Sequence, residues 1–168
     1  MLGLGGGRST YSQYAGEIAS RGYIVAAIEH RDGSGPISVV RLGKGERIVD
    51  YLKVDDLTCV DFSSLKTSLT PRSFAPPHPT LTQLEFRKEQ LVMRLAEISS
   101  VLDVLKRVNE GEGAAVSAEN RRASAEGAAD LSFWTGRLDL EREITMAGHS
   151  FGGATTVRLF TLPYERPR

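Results

Sequence analysis

The residues with the clearest chemical potential form the segment Gly148-His149-Ser150-Phe151-Gly152. A G-x-S-x-G pentapeptide is typical of a nucleophile elbow, a tight strand-to-helix turn that lifts a serine hydroxyl clear of the backbone. Glycines at both flanks avoid a clash where the turn brings the backbone close to itself. The turn also places Ser150 near a helix N-terminus, whose free N–H groups can stabilise an oxyanion. The pattern therefore predicts a nucleophilic serine.

The flanking segments decide between this interpretation and a glycine-rich turn with an idle serine. A strand is predicted before the pentapeptide, at residues 143–147, and a helix after it, at residues 153–160. The small residues Gly152, Gly153 and Ala154 would let that helix lie close to the neighbouring strand. This order of elements favours the elbow.

A second glycine cluster, Gly3-Leu4-Gly5-Gly6-Gly7, precedes a predicted helix. A glycine loop in this position can present N–H groups to a phosphate or can form half of an oxyanion hole. A dinucleotide-binding fingerprint would need a preceding strand and a glycine where Arg8 stands. Because both are missing and an elbow serine is present, the oxyanion interpretation is favoured.

The elements that must position these two loops follow from apolar periodicity and turn signals. A helix is predicted over residues 10–20 with a stop at Gly22. Residues 23–28 are continuously apolar, which is typical of a strand of a parallel sheet covered on both faces. Two shorter strands are predicted at residues 38–42 and 48–54.

The strongest helical pattern covers residues 81–108. Six apolar residues recur there at helical spacing and predict a core-facing stripe: Leu84, Leu91, Leu95, Ile98, Leu102 and Leu105. Charged residues, Arg94 among them, are expected largely on the other faces. A core helix is preferred to a coiled-coil partner site, since only about three heptads are present. Residues 62–79 and 110–130 are predicted to be irregular insertions, the second flexible or weakly helical.

Composition narrows the function classes for this chain of 168 residues, whose length suggests one domain. Lys plus Arg and Asp plus Glu both number 21, so the basic footprint of a nucleic-acid-binding protein is missing. The single cysteine, Cys59, excludes an internal disulfide, and no Cys/His cluster has the spacing of a zinc site. No apolar stretch predicts a transmembrane segment and none resembles a signal peptide, so a cytoplasmic location is expected if Met1 is the true start. The oligomeric state is left open.

Two blocks of the sequence resemble the platelet-activating factor acetylhydrolase family. The first begins with the Gly3 loop, includes Tyr11-Ser12 and ends in Glu29-His30-Arg31-Asp32-Gly33-Ser34; the second runs from Gly148 to Thr155. Together they are far more specific than a G-x-S-x-G pattern alone. The resemblance implies an incomplete α/β-hydrolase fold over residues 1–168, mostly a parallel sheet with a long helix and a flexible insertion.

The same resemblance implies a calcium-independent serine esterase that removes short or oxidised sn-2 acyl groups from glycerophospholipids. Ser150 would be the nucleophile, and the backbone N–H groups of Leu4 and Phe151 would form the oxyanion hole, with Gly148 and Gly152 as the elbow glycines. An imidazole would deprotonate Ser150, and water would hydrolyse the acyl-enzyme. No cofactor or metal is implied. The implied partner is a phospholipid at a membrane or lipoprotein surface, and the Glu29-His30-Arg31-Asp32 block argues against a cutinase-like or general carboxylesterase.

The sequence departs from the family pattern in two places. Leu2 stands where family members carry a histidine, and neither Asp nor His follows Ser150, although the triad order is Ser, acid, His. The three histidines present, His30, His78 and His149, are interpreted as structural. We therefore expect a truncated member with little or no turnover by itself, because the triad acid and histidine are missing, with a catalytically incomplete binding or vestigial protein as the alternative.

Overall fold

The computed structural model describes residues 3–42, 45–53, 82–120 and 130–161. Their regular elements are α1 (Ser12–Ser20), β1 (Ile37–Leu42), β2 (Gly45–Asp50), α2 (Gln83–Arg107), α3 (Gly113–Ala118) and α4 (Phe151–Thr161). A π-helical turn (Val108–Glu112) joins α2 to α3, and a 3₁₀ turn (Leu131–Trp134) follows α3 in the chain. None of the helices in these ranges is long and apolar enough to cross a lipid bilayer. Helices were predicted close to the observed bounds of α1, α2 and α4.

Strands β1 and β2 form an antiparallel pair: β1 lies close to the prediction at residues 38–42, whereas β2 begins and ends earlier than the strand predicted at residues 48–54. Val39 lies opposite Ile48 and Ile37 lies opposite Asp50. Because strand side chains alternate between faces, Ile37, Val39 and Ile48 share one face, where all three are exposed. Ser38 points to the other face, where it is buried and donates a hydrogen bond to the carbonyl oxygen of His30.

Helix α2 begins with a reciprocal capping box. The Thr82 hydroxyl accepts the Glu85 N–H at 3.3 Å, and the Glu85 carboxylate accepts the Thr82 N–H at 2.8 Å. These bonds satisfy N–H groups that the first turn of a helix leaves without partners. Lys106 and Arg107 lie in the last turn, where positive charge complements the helix dipole.

The predicted apolar stripe of α2 is wrong as a description of its buried face. The buried residues are Phe86, Gln90, Arg94, Glu97 and Ile98, so only Ile98 belongs to both sets. Leu84 is 66% exposed, and Arg94, expected away from the core, has no exposed surface. The reason is the partner of the helix: residues 30–34 present polar groups to α2, and only polar side chains can satisfy these groups when buried.

A mostly parallel sheet is not formed by the described residues, whose only sheet is the two-stranded β1–β2 pair. The predicted strands at 23–28 and 143–147 belong to no helix or strand. The prediction that residues 23–28 are covered on both faces is also wrong, since Tyr23, Ile24 and Val25 are exposed. Residues 26–29 instead line a groove together with α2. A strand needs a hydrogen-bonded neighbour, and the sequence pattern of one segment cannot supply it.

The segment 110–130 begins as helix in the structure, through the π-helical turn and α3. Gly111, which lies within the π-helical turn, adopts a φ of +103°. At Gly113 the helix meets the 3₁₀ turn so closely that an added Cβ would lie 2.4 Å from the backbone of Leu131 and Ser132. Residues 121–129 and the predicted insertion 62–79 lie outside the described residues.

Candidate active site

The pentapeptide forms a sharp turn directly before α4. Ser150 has a φ of +55°, a left-handed conformation that costs a residue with a Cβ about 1–3 kcal/mol and that clusters at functional sites. Phe151 is already the first residue of the helix. A Cβ on Gly148 would lie 2.2 Å from the carbonyl oxygen of Gly152, which is backbone and cannot move aside. Only glycine fits at position 148.

The N-terminal glycine loop lies against this turn. A Cβ on Gly3 would come within 3.1 Å of the Ser150 Cβ and 3.4 Å of the His149 carbonyl oxygen. Gly5, with a φ of +75°, donates its N–H to the carbonyl oxygen of Ser34 at 2.7 Å. Leu4 lies between these two fixed points, beside the serine. The structure therefore brings together the two glycine motifs that sequence analysis considered separately.

The peptide N–H groups of Leu4 and Phe151 have no acceptor within the part of the chain that the structure describes. Phe151 occupies the first turn of α4, where the N–H groups have no partner within the helix. The neighbouring Gly152 N–H, in contrast, donates to the His149 carbonyl at 2.9 Å. Two N–H donors are thus free to bind an anionic oxygen.

Tyr11 connects the two motifs a second time. Its hydroxyl lies 2.7 Å from His149 Nδ1, and the two rings are 5.7 Å apart between centroids. From the sequence, Tyr11 was noted only as part of the segment that resembles the acetylhydrolase family. His149 Nδ1 is engaged by this contact, and the interpretation of His149 as a structural residue of the elbow stays a prediction.

Beneath the elbow lies a buried polar cluster centred on Arg94. Its Nε donates to Asp32 Oδ2 at 2.6 Å, one Nη donates to the Ser34 hydroxyl at 2.5 Å, and the other donates to the Thr155 hydroxyl at 3.3 Å. The guanidinium carbon also lies 4.4 Å from the centre of the Phe151 ring, a cation–π distance. Arg94 therefore joins the 30–34 loop to the first turns of α4.

A second buried polar contact, between His30 and Glu97, supports the same loop. His30 Nδ1 lies 2.7 Å from Glu97 Oε2, and Glu97 Oε1 accepts both the backbone N–H and the Nε of Arg31 at 3.0 Å. His30 is 3% exposed, and its Nε2 has no hydrogen-bond partner among the described residues. His30 and Asp32, neighbours in sequence, thus pair with different residues of α2. His30 is held in the core rather than offered to Ser150 as a base.

Sequence reasoning missed Arg94, Thr155 and Tyr11 as site residues. A signal for Arg94 was present: Phe86, Gln90, Arg94 and Glu97 recur at spacings of four, four and three, so they share one helix face. A polar stripe at helical spacing on a long helix indicates a polar partner as readily as solvent. Thr155 and Tyr11 carry no such signal, because their contacts depend on the tertiary fold. His78 lies outside the described residues.

Comparison with known proteins decides the family. A family model described as "Platelet-activating factor acetylhydrolase, isoform II" matches residues 2–165. The chain belongs to this family. Membership implies the α/β-hydrolase fold, of which the described residues contain the long helix and the turn before α4 but no parallel sheet.

The chain is similar to several family relatives. It is 32% identical to platelet-activating factor acetylhydrolase of Cavia porcellus and 31% identical to that of Bos taurus, with 93% of this chain covered in each. It is 30% identical, over 91% of its length, to a putative phospholipase A2 of Schizosaccharomyces pombe. The matched region spans only 29% to 32% of those three relatives. No solved structure matches the chain.

Proposed function

We propose that this chain carries the nucleophile and both oxyanion donors of an esterase that removes short or oxidised sn-2 acyl groups from glycerophospholipids. The observation that supports it is the contact of the Gly3 loop with the Ser150 turn, at 3.1 Å between a Cβ on Gly3 and the Ser150 Cβ. Leu4 directly follows Gly3 and Phe151 directly follows Ser150, so this contact supports a shared oxyanion hole in a chain of the acetylhydrolase family.

The chemistry follows from these positions. Ser150 Oγ transfers its proton to a general base, which later protonates the leaving alkoxide, and attacks the sn-2 ester carbonyl; the carbonyl oxygen becomes an oxyanion that the Leu4 and Phe151 N–H groups stabilise. The tetrahedral intermediate collapses, the C–O bond to the glycerol breaks, and the alkoxide takes up a proton to leave as the lysophospholipid. Water then attacks the acyl-serine and releases the short acid. We propose that the phospholipid is met at a membrane or lipoprotein surface.

The proton acceptor for Ser150 decides how fast the chain works by itself. Among the described residues, His30 is buried against Glu97 and His149 contacts Tyr11. Loss of triad members costs orders of magnitude in rate, although an oxyanion hole and substrate binding retain a residual part. We therefore propose slow turnover for this polypeptide alone. The same observation favours a second candidate, a catalytically incomplete protein with a binding or vestigial role.

A fluorophosphonate probe tests the first proposal, because two oxyanion donors beside Ser150 would stabilise the phosphonylation transition state and allow slow labelling even without a triad base. We expect the unmodified chain to be labelled, Ser150→Ala to lose the label, and Ser20→Ala to retain it. Ser20 is a matched control since its hydroxyl is exposed and donates only to the Glu17 carbonyl in α1. Absence of any label on the unmodified chain would favour the second candidate.

Sequencing the native transcript through both ends of the reading frame separates the two candidates at the level of the gene. A frame that continues into an acid and then a histidine supports the complete esterase. A frame that stops at Arg168 supports the incomplete protein.

A further inference from the structure

We infer that Arg94 is the positioning residue of the oxyanion hole: one buried guanidinium fixes both the Phe151 donor and the Leu4 donor. This inference rests on the proposed function, which names the two donors, and adds to it the residue that sets their separation. Arg94 touches neither substrate nor Ser150; it acts through the two segments that carry the donors.

The Phe151 half is held by two contacts. The guanidinium lies 4.4 Å from the Phe151 ring centre, and a buried cation–π contact of this kind also fixes the ring's orientation. One Nη donates to the Thr155 hydroxyl, which itself donates to the Phe151 carbonyl at 2.9 Å. Both the side chain and the carbonyl of Phe151 are therefore tied to Arg94. The direction of the Phe151 N–H follows, because the first helical turn is rigid once these two points are fixed.

The Leu4 half is held through the loop of residues 30–34. Arg94 donates to Asp32 and to Ser34, and the Ser34 carbonyl accepts the N–H of Gly5 at 2.7 Å. Ser34 and Asp32 are buried, so these bonds are shielded from water and hold a single geometry. Gly5 directly follows Leu4. The position of the Leu4 peptide thus depends on the same guanidinium that holds Phe151.

The residue type fits this task. An arginine presents a planar fork of donors that can reach three acceptors at fixed angles and can stack on a ring at the same time. Lysine keeps the charge but has a single ammonium point, so it cannot serve Asp32, Ser34, Thr155 and the Phe151 ring together. Arg94→Lys therefore separates a positioning role from a charge role.

The test compares amide signals in the full chain by ¹H–¹⁵N nuclear magnetic resonance and the rate of Ser150 phosphonylation. For Arg94→Lys we expect both the Leu4–Gly5 amides and the Phe151 amide to shift. We expect phosphonylation to slow on the order of 10²-fold, the effect of displacing reacting groups by about 1 Å. Arg107→Lys is the matched control on the same helix; its partners are Glu112 and Glu119, and neither signal should change.

Two further variants each remove the link between Arg94 and one of the two donors. They test the inference even if Arg94→Lys does not fold. Thr155→Val should shift the Phe151 amide and leave Leu4 unchanged, because it removes only the hydroxyl between Arg94 and the Phe151 carbonyl. Ser34→Ala should shift the Leu4–Gly5 amides alone, because the hydroxyl it removes accepts from Arg94 and donates to Asp32 within the same loop. Each should slow phosphonylation less than Arg94→Lys.

Three results would overturn the inference. Shifts at one donor only in Arg94→Lys would contradict a shared anchor, and lower thermal stability with unchanged donor amides would reduce Arg94 to a core residue. Shifts at both donors with an unchanged phosphonylation rate would contradict the positioning role. If the unmodified chain is not phosphonylated but the amide pattern is as expected, the shared anchoring stands and the proposed function falls.

Discussion

Arg94 and Arg107 lie on the same helix, and each binds more than one partner, yet their surroundings differ completely. Arg94 and its partner Asp32 have no exposed side-chain surface, and the cluster also contains Ser34, Thr155 and the Phe151 ring. Arg107 pairs with Glu112 and Glu119, all three of them well exposed. The first cluster joins three distant segments of the chain; the second joins the end of α2 to the turn and helix that follow it.

The difference indicates where this chain depends on charge. An exposed ion pair is screened by water and salt and contributes little, whereas a buried charge that loses its partner carries its full desolvation cost. Hydrogen bonds from Arg107 to Glu119 and Glu112 hold the pKa of that guanidinium above its usual value, so the guanidinium stays charged throughout the accessible pH range. The buried cluster should therefore control stability, and the exposed one should be dispensable.

The largest effect is expected for Asp32→Ala, which tests whether the buried Arg94 cluster controls stability. It leaves Arg94 buried without its carboxylate, and removal of one partner from a buried pair destabilises proteins by about 3–5 kcal/mol. We expect a loss of this size in the free energy of unfolding measured with urea. The double variant Asp32→Leu with Arg94→Met should recover part of the loss, because apolar residues of similar volume remove both charges. A loss below about 1 kcal/mol for Asp32→Ala would contradict the contrast.

Two cation–π contacts refine the comparison at a smaller scale. Arg94 lies 4.4 Å from the Phe151 ring centre in the buried cluster, whereas Arg137 lies 4.0 Å from the ring centre of Phe133, which is 59% exposed. We expect Phe151→Leu to cost about 1–2 kcal/mol and Phe133→Leu about 0.5 kcal/mol, since desolvation strengthens the interaction. Thermal unfolding of both variants measures the difference. Equal losses would mean that burial does not strengthen the contact here.

Arg107→Ala gives a smaller effect still and adds a salt dependence. The variant removes two exposed ion pairs, and we expect a lower melting temperature at low ionic strength that merges with that of the unmodified chain at 1 M NaCl. At about 1 M salt the Debye length is about 3 Å, which screens exposed pairs. Asp32→Ala measured in the same two buffers should keep its loss, because its pair is buried. A salt-insensitive difference for Arg107→Ala would show that the exposed cluster contributes by packing.

These two clusters also mark what the sequence could and could not predict. Helices α1, α2 and α4, the β1–β2 pair and the Ser150 turn follow from local signals: periodicity, caps, glycine stops and the G-x-S-x-G spacing. The buried face of α2 does not, because apolar periodicity assumes that a helix buries apolar residues, and here its partner is the polar loop of residues 30–34. The pairs Arg94–Asp32 and Glu97–His30 join residues more than 60 positions apart. Such pairings depend on tertiary packing. Strand formation at residues 23–28 likewise requires a hydrogen-bonded neighbour, and these residues form no strand in the structure.

We expect the smallest effect on stability at the exposed start of α2, where the charge of Glu85 depends on pH. This site is compared with the Arg94 and Arg107 clusters. Hydrogen bonds from the Thr82 side chain and backbone lower the pKa of the Glu85 carboxyl below 4.5. A lowered folded-state pKa adds stability that is complete above the unfolded value and disappears as pH falls through the folded one. We expect the melting temperature of the unmodified chain to exceed that of Glu85→Gln slightly at pH 7, and the two to converge as the pH falls through the lowered pKa of Glu85 in the folded state.

Asp130 complicates the acid range but not the difference between these two proteins. Hydrogen bonds from the Ser132 side chain and backbone also lower the pKa of the Asp130 carboxyl, so its contribution weakens over a similar interval. Because Asp130 is present in both proteins, its titration cancels when one melting curve is subtracted from the other. A difference that persisted unchanged at pH 3 would assign the effect of Glu85 to its shape and not to its charge. Charge at the start of α2 would then contribute nothing to stability, in contrast to the salt-dependent contribution expected from Arg107 at the other end of the helix.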